Sequence, residues 1–65
     1  MDNEKKGFTR GVVYSVAQCF RNGQEGAGEL IWHESGFDED DLAICDDYDA
    51  DEIRQYYANQ QSNPA

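Results

Sequence analysis

The apolar positions between residues 8 and 20 follow the period of one face of a helix. Steps of four, one, three, one and three residues separate the members of this stripe. They are Phe8, Val12, Val13, Val16, Ala17 and Phe20. The stripe predicts a helix with one buried face, and it is the clearest helix signal in the chain.

The residues around this stripe predict where the helix begins and ends. Thr9 is a suitable N-cap, which places Phe8 and Val13 at the two positions of a hydrophobic staple. At the other end, Arg21 suits the negative pole of the helix, and Gly23 suits the left-handed residue that closes it. The first helix is therefore expected to begin after Thr9.

The segment 24–37 supports two interpretations. A helix would be closed by Gly36 as its left-handed residue, with Phe37 packing back onto the last turn. A strand over residues 29–34 would instead be favoured by Ile31 and the tryptophan that follows it, between flanking glycines. We expect the helix, and the strand is kept as the alternative.

Two further helix starts are marked by acidic residues. Asp38 is a good N-cap for a short helix that reaches Ile44. Asp49 and Glu52 have the spacing of a capping box, and Ile53 with the following aromatic residues would form the apolar face of a last helix. The pattern thus predicts one short and one longer helix after residue 37.

Residues 1–65 are predicted to form a single small domain of mainly α class, with three to four short helices and frayed ends at 1–7 and 60–65. A core in a domain of this size rarely supplies more than ~3–5 kcal/mol. Two cysteines give no disulfide framework, so a homodimer is expected to supply the missing burial. The residues assigned to the core or to the dimer interface are Phe8, Val12, Val13, Val16, Phe20, Leu30, Ile31, Phe37, Leu42, Ile44 and Ile53.

Charge is distributed unevenly along the chain. Residues 1–23 carry four basic against two acidic side chains, a net of +2, whereas residues 24–65 carry twelve acidic side chains against Arg54 alone, a net of −11. Nine of the fifteen residues from Asp38 to Glu52 are acidic. This field repels nucleic acid and anionic membranes and attracts basic surfaces, so direct nucleic-acid or membrane binding is not expected.

Neither a signal peptide nor a membrane-spanning segment is predicted. The two lysines near the start are not followed by a long apolar stretch, and nothing approaches the ~20 apolar residues of a spanning helix. A cytoplasmic protein with reduced thiols is expected.

Metal binding and catalysis find little support in the residue pattern. Asp47, Asp49 and Asp51 match the first three ligand positions of an EF-hand loop, but its central glycine and closing glutamate are absent. The cysteines and the single histidine lack the close spacing of a zinc site, and no phosphate loop or nucleophile motif is present. We therefore predict no metal, no cofactor and no enzymatic activity.

Aromatic and acidic side chains are the candidates for binding a protein. The chain has more large aromatic side chains than one thin core can hide, and such residues anchor protein interfaces. They are Tyr14, Trp32, Tyr48, Tyr56 and Tyr57. Ordinary core packing, a dimer interface and a groove for a partner are the three roles open to them. The predicted partner-binding set is Trp32, Tyr48, Tyr56, Tyr57, Asp40, Asp41, Asp46 and Asp47.

Part of the chain resembles a family. The run Glu34-Ser35-Gly36-Phe37, then Asp41-Leu42, then Asp46-Asp47-Tyr48-Asp49, and finally Glu52-Ile53-Arg54 with two aromatic residues is similar to the C-terminal half of small early proteins of lambdoid bacteriophages and prophages. The resemblance covers roughly residues 27–57. It implies an accessory protein in the cytoplasm of an infected bacterium, with a host or phage protein as its target, and it supplies no catalytic residue.

The expected function is a non-enzymatic regulatory or accessory role. The chain would bind a host or phage protein through an aromatic groove with an acidic rim, and the resemblance implies that this binding promotes lytic development. The alternative is an acidic mimic of nucleic acid that inhibits a DNA- or RNA-binding enzyme, as anti-restriction and anti-CRISPR inhibitors do. Neutralisation of a basic toxin is a third hypothesis.

Overall fold

Within residues 3–61, the part of the chain that the computed structural model describes, the backbone forms four α-helices. They are α1 (Asn3–Arg21), α2 (Glu25–Ser35), α3 (Glu39–Leu42) and α4 (Asp47–Gln61). Helix α1 packs against both α2 and α4. The mainly helical class is confirmed, and the strand alternative for residues 29–34 is wrong because α2 includes them all.

The first helix begins six residues before Thr9, so the predicted N-cap is wrong. Glu4 and the two lysines after it are good helix formers, and an acidic side chain in the first turn suits the positive helix pole. The Thr9 side chain is buried, and its hydroxyl donates to the Lys5 carbonyl at 2.9 Å. Residues 3–7 and 60–61, expected to be frayed, belong to α1 and α4, while residues 1–2 and 62–65 lie outside the described range.

The hydrophobic staple predicted between Phe8 and Val13 is also wrong. Val13 is fully buried, whereas Phe8 is 66% exposed. With the helix already formed at residue 3, Phe8 lies about 140° around α1 from Val13 and faces away from the core.

Both left-handed glycines occur where the sequence placed them. Gly23 has φ of 77° and Gly36 has φ of 70°, and the Gly36 amide donates to the His33 carbonyl at 3.3 Å. A third glycine, Gly28, is needed for another reason. A Cβ atom added there would lie 2.5 Å from Cε1 of Phe20, so the absence of a side chain lets α2 lie against the Phe20 ring.

The last two helices are capped by aspartates, one as predicted and one not. Asp38 caps α3: its carboxylate accepts from the Asp40 amide at 3.0 Å, and the Asp41 carboxylate accepts from the Asp38 amide at 3.0 Å. The capping box predicted at Asp49 is wrong, because α4 begins at residue 47 and Asp46 accepts from the amide two residues later at 3.4 Å.

The core lies where α1, α2 and α4 meet. Its buried apolar members are Val13, Val16, Ala17, Phe20, Leu42, Ala50 and Ile53, with Val12, Ile31, Trp32, Phe37, Cys45, Tyr56 and Tyr57 packed against them. Phe8, Leu30 and Ile44 are exposed by 66, 62 and 37%, so a core role within one chain is wrong for these three. Leu30 follows the buried Gly28 by two residues, about 200° around the helix. Their assignment to a dimer interface stays a prediction.

Arg21, at the end of α1, joins that helix to the start of α4. Its Nη1 atom lies 3.0 Å from Oδ1 of Asp49, its Nε atom lies 3.6 Å from a Glu52 carboxylate oxygen, and its Nη2 atom donates to the Tyr48 carbonyl at 3.0 Å. The guanidinium also stands 4.0 Å from the centre of the Tyr48 ring. Gln18 accepts a further bond from Nη1 at 2.7 Å. Asp49 and Glu52 thus bind a cation instead of capping their own helix.

Substitution Gly28→Ala is expected to destabilise the protein by about 2 kcal/mol, since overpacking against the stacked Phe20 ring outweighs the better helix propensity of alanine. Gly26→Ala is the matched control, because an added Cβ at Gly26 meets nothing within 4 Å, and it is expected to gain up to about 1 kcal/mol. Urea unfolding of both variants checks this. Equal effects in the two variants would contradict the close helix contact.

Arg21→Gln is expected to lower the free energy of unfolding by about 1 kcal/mol, the worth of a charged hydrogen bond after a discount for solvent screening. Added sodium chloride should restore part of the lost stability of this variant, because salt screens the repulsion between the Asp49 and Glu52 carboxylates. Arg54→Gln removes a more exposed cation and should cost less. Chemical denaturation at low and high salt measures both, and a smaller loss for Arg21→Gln would contradict the assigned role.

Candidate functional site

An open groove of about 430 Å³ lies between the end of α2, α3 and α4. Its lining residues are Trp32, Phe37, Asp38, Glu39, Leu42, Ile53, Arg54, Tyr57 and Ala58. The volume is within the range of sites that take a small ligand or one large side chain. Aromatic side chains form the walls of this concave surface, and aliphatic side chains form its floor.

The groove exists because the chain reverses at the end of α2. The left-handed Gly36 turns the backbone so that the Phe37 ring meets Trp32 edge to face, with ring centroids 6.2 Å apart. Leu42 and Ile53, which are 4 and 1% exposed, form the floor. The walls and the floor are thus held by packing that is complete within the chain.

The rim is charged and is organised by Arg54 on α4. Its Nη2 atom lies 2.6 Å from a Glu39 carboxylate oxygen, its Nε atom contacts both Glu39 oxygens at 3.1 and 3.0 Å, and its Nη1 atom lies 2.8 Å from Asp51. The hydrogen bonds from Arg54 lower the pKa of Glu39, and those to Glu39 and Asp51 raise the pKa of Arg54. Glu39 is therefore ionised at neutral pH and fixed beside the groove.

One polar atom in the groove wall is unsatisfied. The Tyr57 hydroxyl is buried and has no hydrogen-bond partner among the described residues. Burial is also the main reason why the pKa of Tyr57 is raised, so the hydroxyl keeps its proton. A buried donor without a partner costs free energy in the folded chain.

The neighbouring Tyr56 is committed to the fold. Its ring stacks on Phe20 with centroids 3.9 Å apart, and its hydroxyl donates to Glu29 on α2. Gln60 donates to both groups, to Glu29 at 3.1 Å and to the Tyr56 hydroxyl at 2.8 Å. The hydrogen bond to Glu29 raises the pKa of Tyr56 to about 12, and the same bond lowers the pKa of Glu29. This network fastens α2 to α4.

The eight residues assigned to partner binding do not form one surface. Trp32 and Tyr57 lie together in the groove. Tyr48 is 70% exposed and covers Arg21 without lining the groove, and Tyr56 packs in the core network.

The four acidic residues assigned to partner binding also differ in their surroundings. Asp40 and Asp47 are exposed, and no partner for their carboxylates is found among the described residues. Asp41 and Asp46 accept from backbone amides at the starts of α3 and α4. Two of the four are thus available to a partner without disturbing a helix cap.

The sequence analysis missed the rim pair of Glu39 and Arg54. These residues are fifteen positions apart on different helices, so neither periodicity nor a local motif connects them. The signal that could have found Arg54 is its isolation, since it is the one basic residue after position 23. Asp38, read only as a cap, also lines the groove.

The remaining candidates for chemistry are dispersed. Asp47, Asp49 and Asp51 lie within helix α4 and form no loop, and no cluster of three or more potential metal-ligating residues occurs in residues 3–61. Cys19 and Cys45 are not disulfide-bonded and are half-buried. Burial raises the pKa of the Cys45 thiol, which weakens it as a nucleophile.

None of the helices in the described range combines the length and apolar character needed to cross a bilayer. In comparisons with known proteins, no family model, no curated protein and no solved structure matches the chain.

The Tyr56–Glu29 bond predicts how stability depends on pH. Because the pKa of Tyr56 is raised from 10.0 to about 12 in the fold, its stabilisation is complete below pH 10 and is lost as the pH rises through 12. Glu29 acts in the opposite sense: its lowered pKa gives stabilisation above pH 4.5 that is lost as the pH falls through its folded value. Tyr56→Phe should flatten the alkaline loss in thermal melts recorded from pH 9.5 to pH 12.

Tyr14→Phe, which changes an exposed tyrosine on α1, is the control and should leave the alkaline profile unchanged. A residual alkaline slope in Tyr56→Phe is expected from the buried Tyr57. Identical profiles for Tyr56→Phe and the parent protein would contradict the assigned bond.

Proposed function

We propose that this chain is a non-enzymatic binding protein whose groove receives an apolar side chain of a protein partner. The observation that supports this most directly is the groove itself, with Trp32 and Phe37 as walls and an aliphatic floor. Its partner segment presents an aromatic or aliphatic anchor.

Pre-organisation favours this use of the groove. The edge-to-face contact of Trp32 with Phe37 and the buried Leu42 and Ile53 hold the site open without a ligand. A rigid aromatic pocket loses little conformational entropy on binding, which is why such pockets form the energetic centres of interfaces. A single anchor side chain buried in the groove would then contribute most of the binding free energy.

The charges around the groove indicate the rest of the partner segment. Asp40 is exposed near the start of α3, beside the Glu39 that lines the rim. The whole chain carries a formal charge of −9, which speeds encounter with basic surfaces. Lysine or arginine residues beside the anchor therefore complete the proposed recognition element.

The proposal keeps the partner class that the resemblance to phage early proteins implies. The chain would act as an accessory or regulatory protein in the cytoplasm of an infected bacterium, bind a host or phage protein, and promote lytic development. The homodimer expected from the thin core belongs to the same proposal, since two copies would present two grooves.

Mimicry of nucleic acid is the second candidate, and the exposed carboxylates of Asp40 and Asp47 favour it. A mimic binds through the arrangement of its charges, so its affinity falls steeply with salt. A groove binder keeps most of its affinity at high salt, because burial of the anchor does not depend on screening. The two candidates are therefore separable by one titration series.

Trp32 is the one tryptophan in the chain and lies in the groove wall, so its fluorescence reports occupancy directly. Peptides selected from a displayed random library should carry an apolar anchor flanked by basic residues and should change this fluorescence on binding. Ala58→Arg places a long side chain over the groove from an exposed position and should weaken the selected peptides about tenfold or more.

Gln55→Arg is the matched control, since it adds the same charge to an exposed position of α4 that does not line the groove. Affinity for the peptides should stay within about twofold, and high salt should leave most of it intact. Three results together would contradict binding in the groove and support mimicry of nucleic acid. The two arginine variants would lose affinity equally, high salt would abolish binding, and the double variant Asp40→Asn with Asp47→Asn would bind much more weakly.

A further inference from the structure

A second apolar surface lies between α1 and α2. Phe8 and Val12 of α1 and Leu30 and Ile31 of α2 line a hollow of about 380 Å³, with Glu34 and Ser35 at one end. Phe8 and Leu30 are 66 and 62% exposed, the largest exposure among the apolar residues of the α1–α2 pair. We call this surface, defined by these four apolar residues, the hairpin face.

The hairpin face is almost free of charge in a protein that is otherwise strongly acidic. Glu34 is the one charged residue that lines it. None of the nine acidic residues between positions 38 and 52 does so, because they belong to α3, α4 and their flanking turns. The neighbours of the apolar stripe along α1 are Gly11 and Ser15, which are exposed and uncharged, and, one turn before Phe8, the oppositely charged Glu4 and Lys5.

Gly11 adds a separate observation. It lies in the interior of α1, where glycine lowers helix stability, and a Cβ atom added there would meet nothing within 4 Å. Packing inside the chain therefore gives no reason for a glycine at this position, in contrast to Gly28. The same is true of Gly7 and Gly26. At Gly11, which lies beside the hairpin face, the missing side chain lets another backbone or ring come near.

We propose that the hairpin face packs against the hairpin face of a second copy of this chain around a two-fold axis. This inference rests on the homodimer in the proposed function and identifies its interface. Charge favours a second copy over a basic protein as the partner that binds the hairpin face. A basic protein is drawn to the acidic side of the molecule, whereas two chains of charge −9 can meet closely only where carboxylates are absent.

The two-fold arrangement also suits the shape and the remaining charges. An isologous contact places the exposed Phe8 of each copy over the uncharged, small-residue part of the other α1, which includes Gly11. Antiparallel α1 helices separate the lysines of the two copies, and they bring Lys5 and Lys6 toward the end of the partner hairpin that carries Glu25. The acidic helices remain on the outside, and both grooves stay open.

Sedimentation equilibrium at roughly tens of micromolar protein tests this interface. The molar mass measured for the parent protein should be twice the 7.4 kDa of one chain. Leu30→Glu, at an exposed position, should raise the dimer dissociation constant at least about tenfold while the circular dichroism spectrum stays helical. Tyr14→Glu adds the same charge at an exposed aromatic residue of α1 that does not line the face, and this variant should remain dimeric.

Gly11→Gln separates the interface from the stability of the helix. It should raise the helix content of the monomer, because glutamine is the better helix former, and should still dissociate the dimer. A monomeric parent protein would overturn the proposal. So would a dimer that survives both Leu30→Glu and Gly11→Gln, or one that dissociates in Ala58→Arg, which would place the second copy in the groove. Peptide binding followed by Trp32 fluorescence in Leu30→Glu tests the groove separately, since Leu30 does not line it.

Discussion

The bond between Arg21 and the carboxylates of Asp49 and Glu52 is the constraint on which the rest of the structure depends. It joins the last turn of α1 to the first turns of α4, and thereby sets the position of α4 along α1. Once α4 is placed, Ile53 reaches the core and the Tyr56 ring lies flat on Phe20. Few other cations could make this bond, since five basic residues face fourteen acidic ones in the chain.

Most side chains of the acidic segment therefore make contacts that stabilise the fold, and only a few are simply solvated. Seven of its nine carboxylates between positions 38 and 52 cap a helix or bind an arginine. They are Asp38, Glu39, Asp41, Asp46, Asp49, Asp51 and Glu52. The repulsion within such a dense segment is offset where each carboxylate accepts from an amide or a guanidinium. What remains for an external partner is a smaller charge set centred on Asp40 and Asp47.

The parts of this fold that could be predicted from the sequence are those encoded within one or two helical turns. The stripe from Val12 to Phe20, the left-handed Gly23 and Gly36 and the cap at Asp38 depend on local geometry, and each is found. Thr9 and Asp49 have the residue types of N-caps, yet both lie inside helices. Local preference for a cap is about 1 kcal/mol, and long-range contacts that no local pattern encodes can outweigh it.

The same distinction applies to the candidate site. Trp32 and Tyr57 were identified by residue type, but the groove they share needs Phe37 to fold back and Glu39 to meet Arg54 across fifteen residues. Two of the aromatic residues that a thin core could not hide have structural roles. The Tyr48 ring covers the Arg21 guanidinium, and the Tyr56 hydroxyl joins α4 to α2.

The exposed apolar surface is divided between the groove and the hairpin face. The two surfaces meet at the contact between Phe8 and Phe37, whose ring centroids are 6.4 Å apart. Because Phe37 lines the groove while Phe8 lines the hairpin face, a shift of either ring changes the wall of one surface and the support of the other. A chain this short cannot bury both surfaces by itself, and their difference in charge, one acidic and one neutral, fits the two different partners proposed for them.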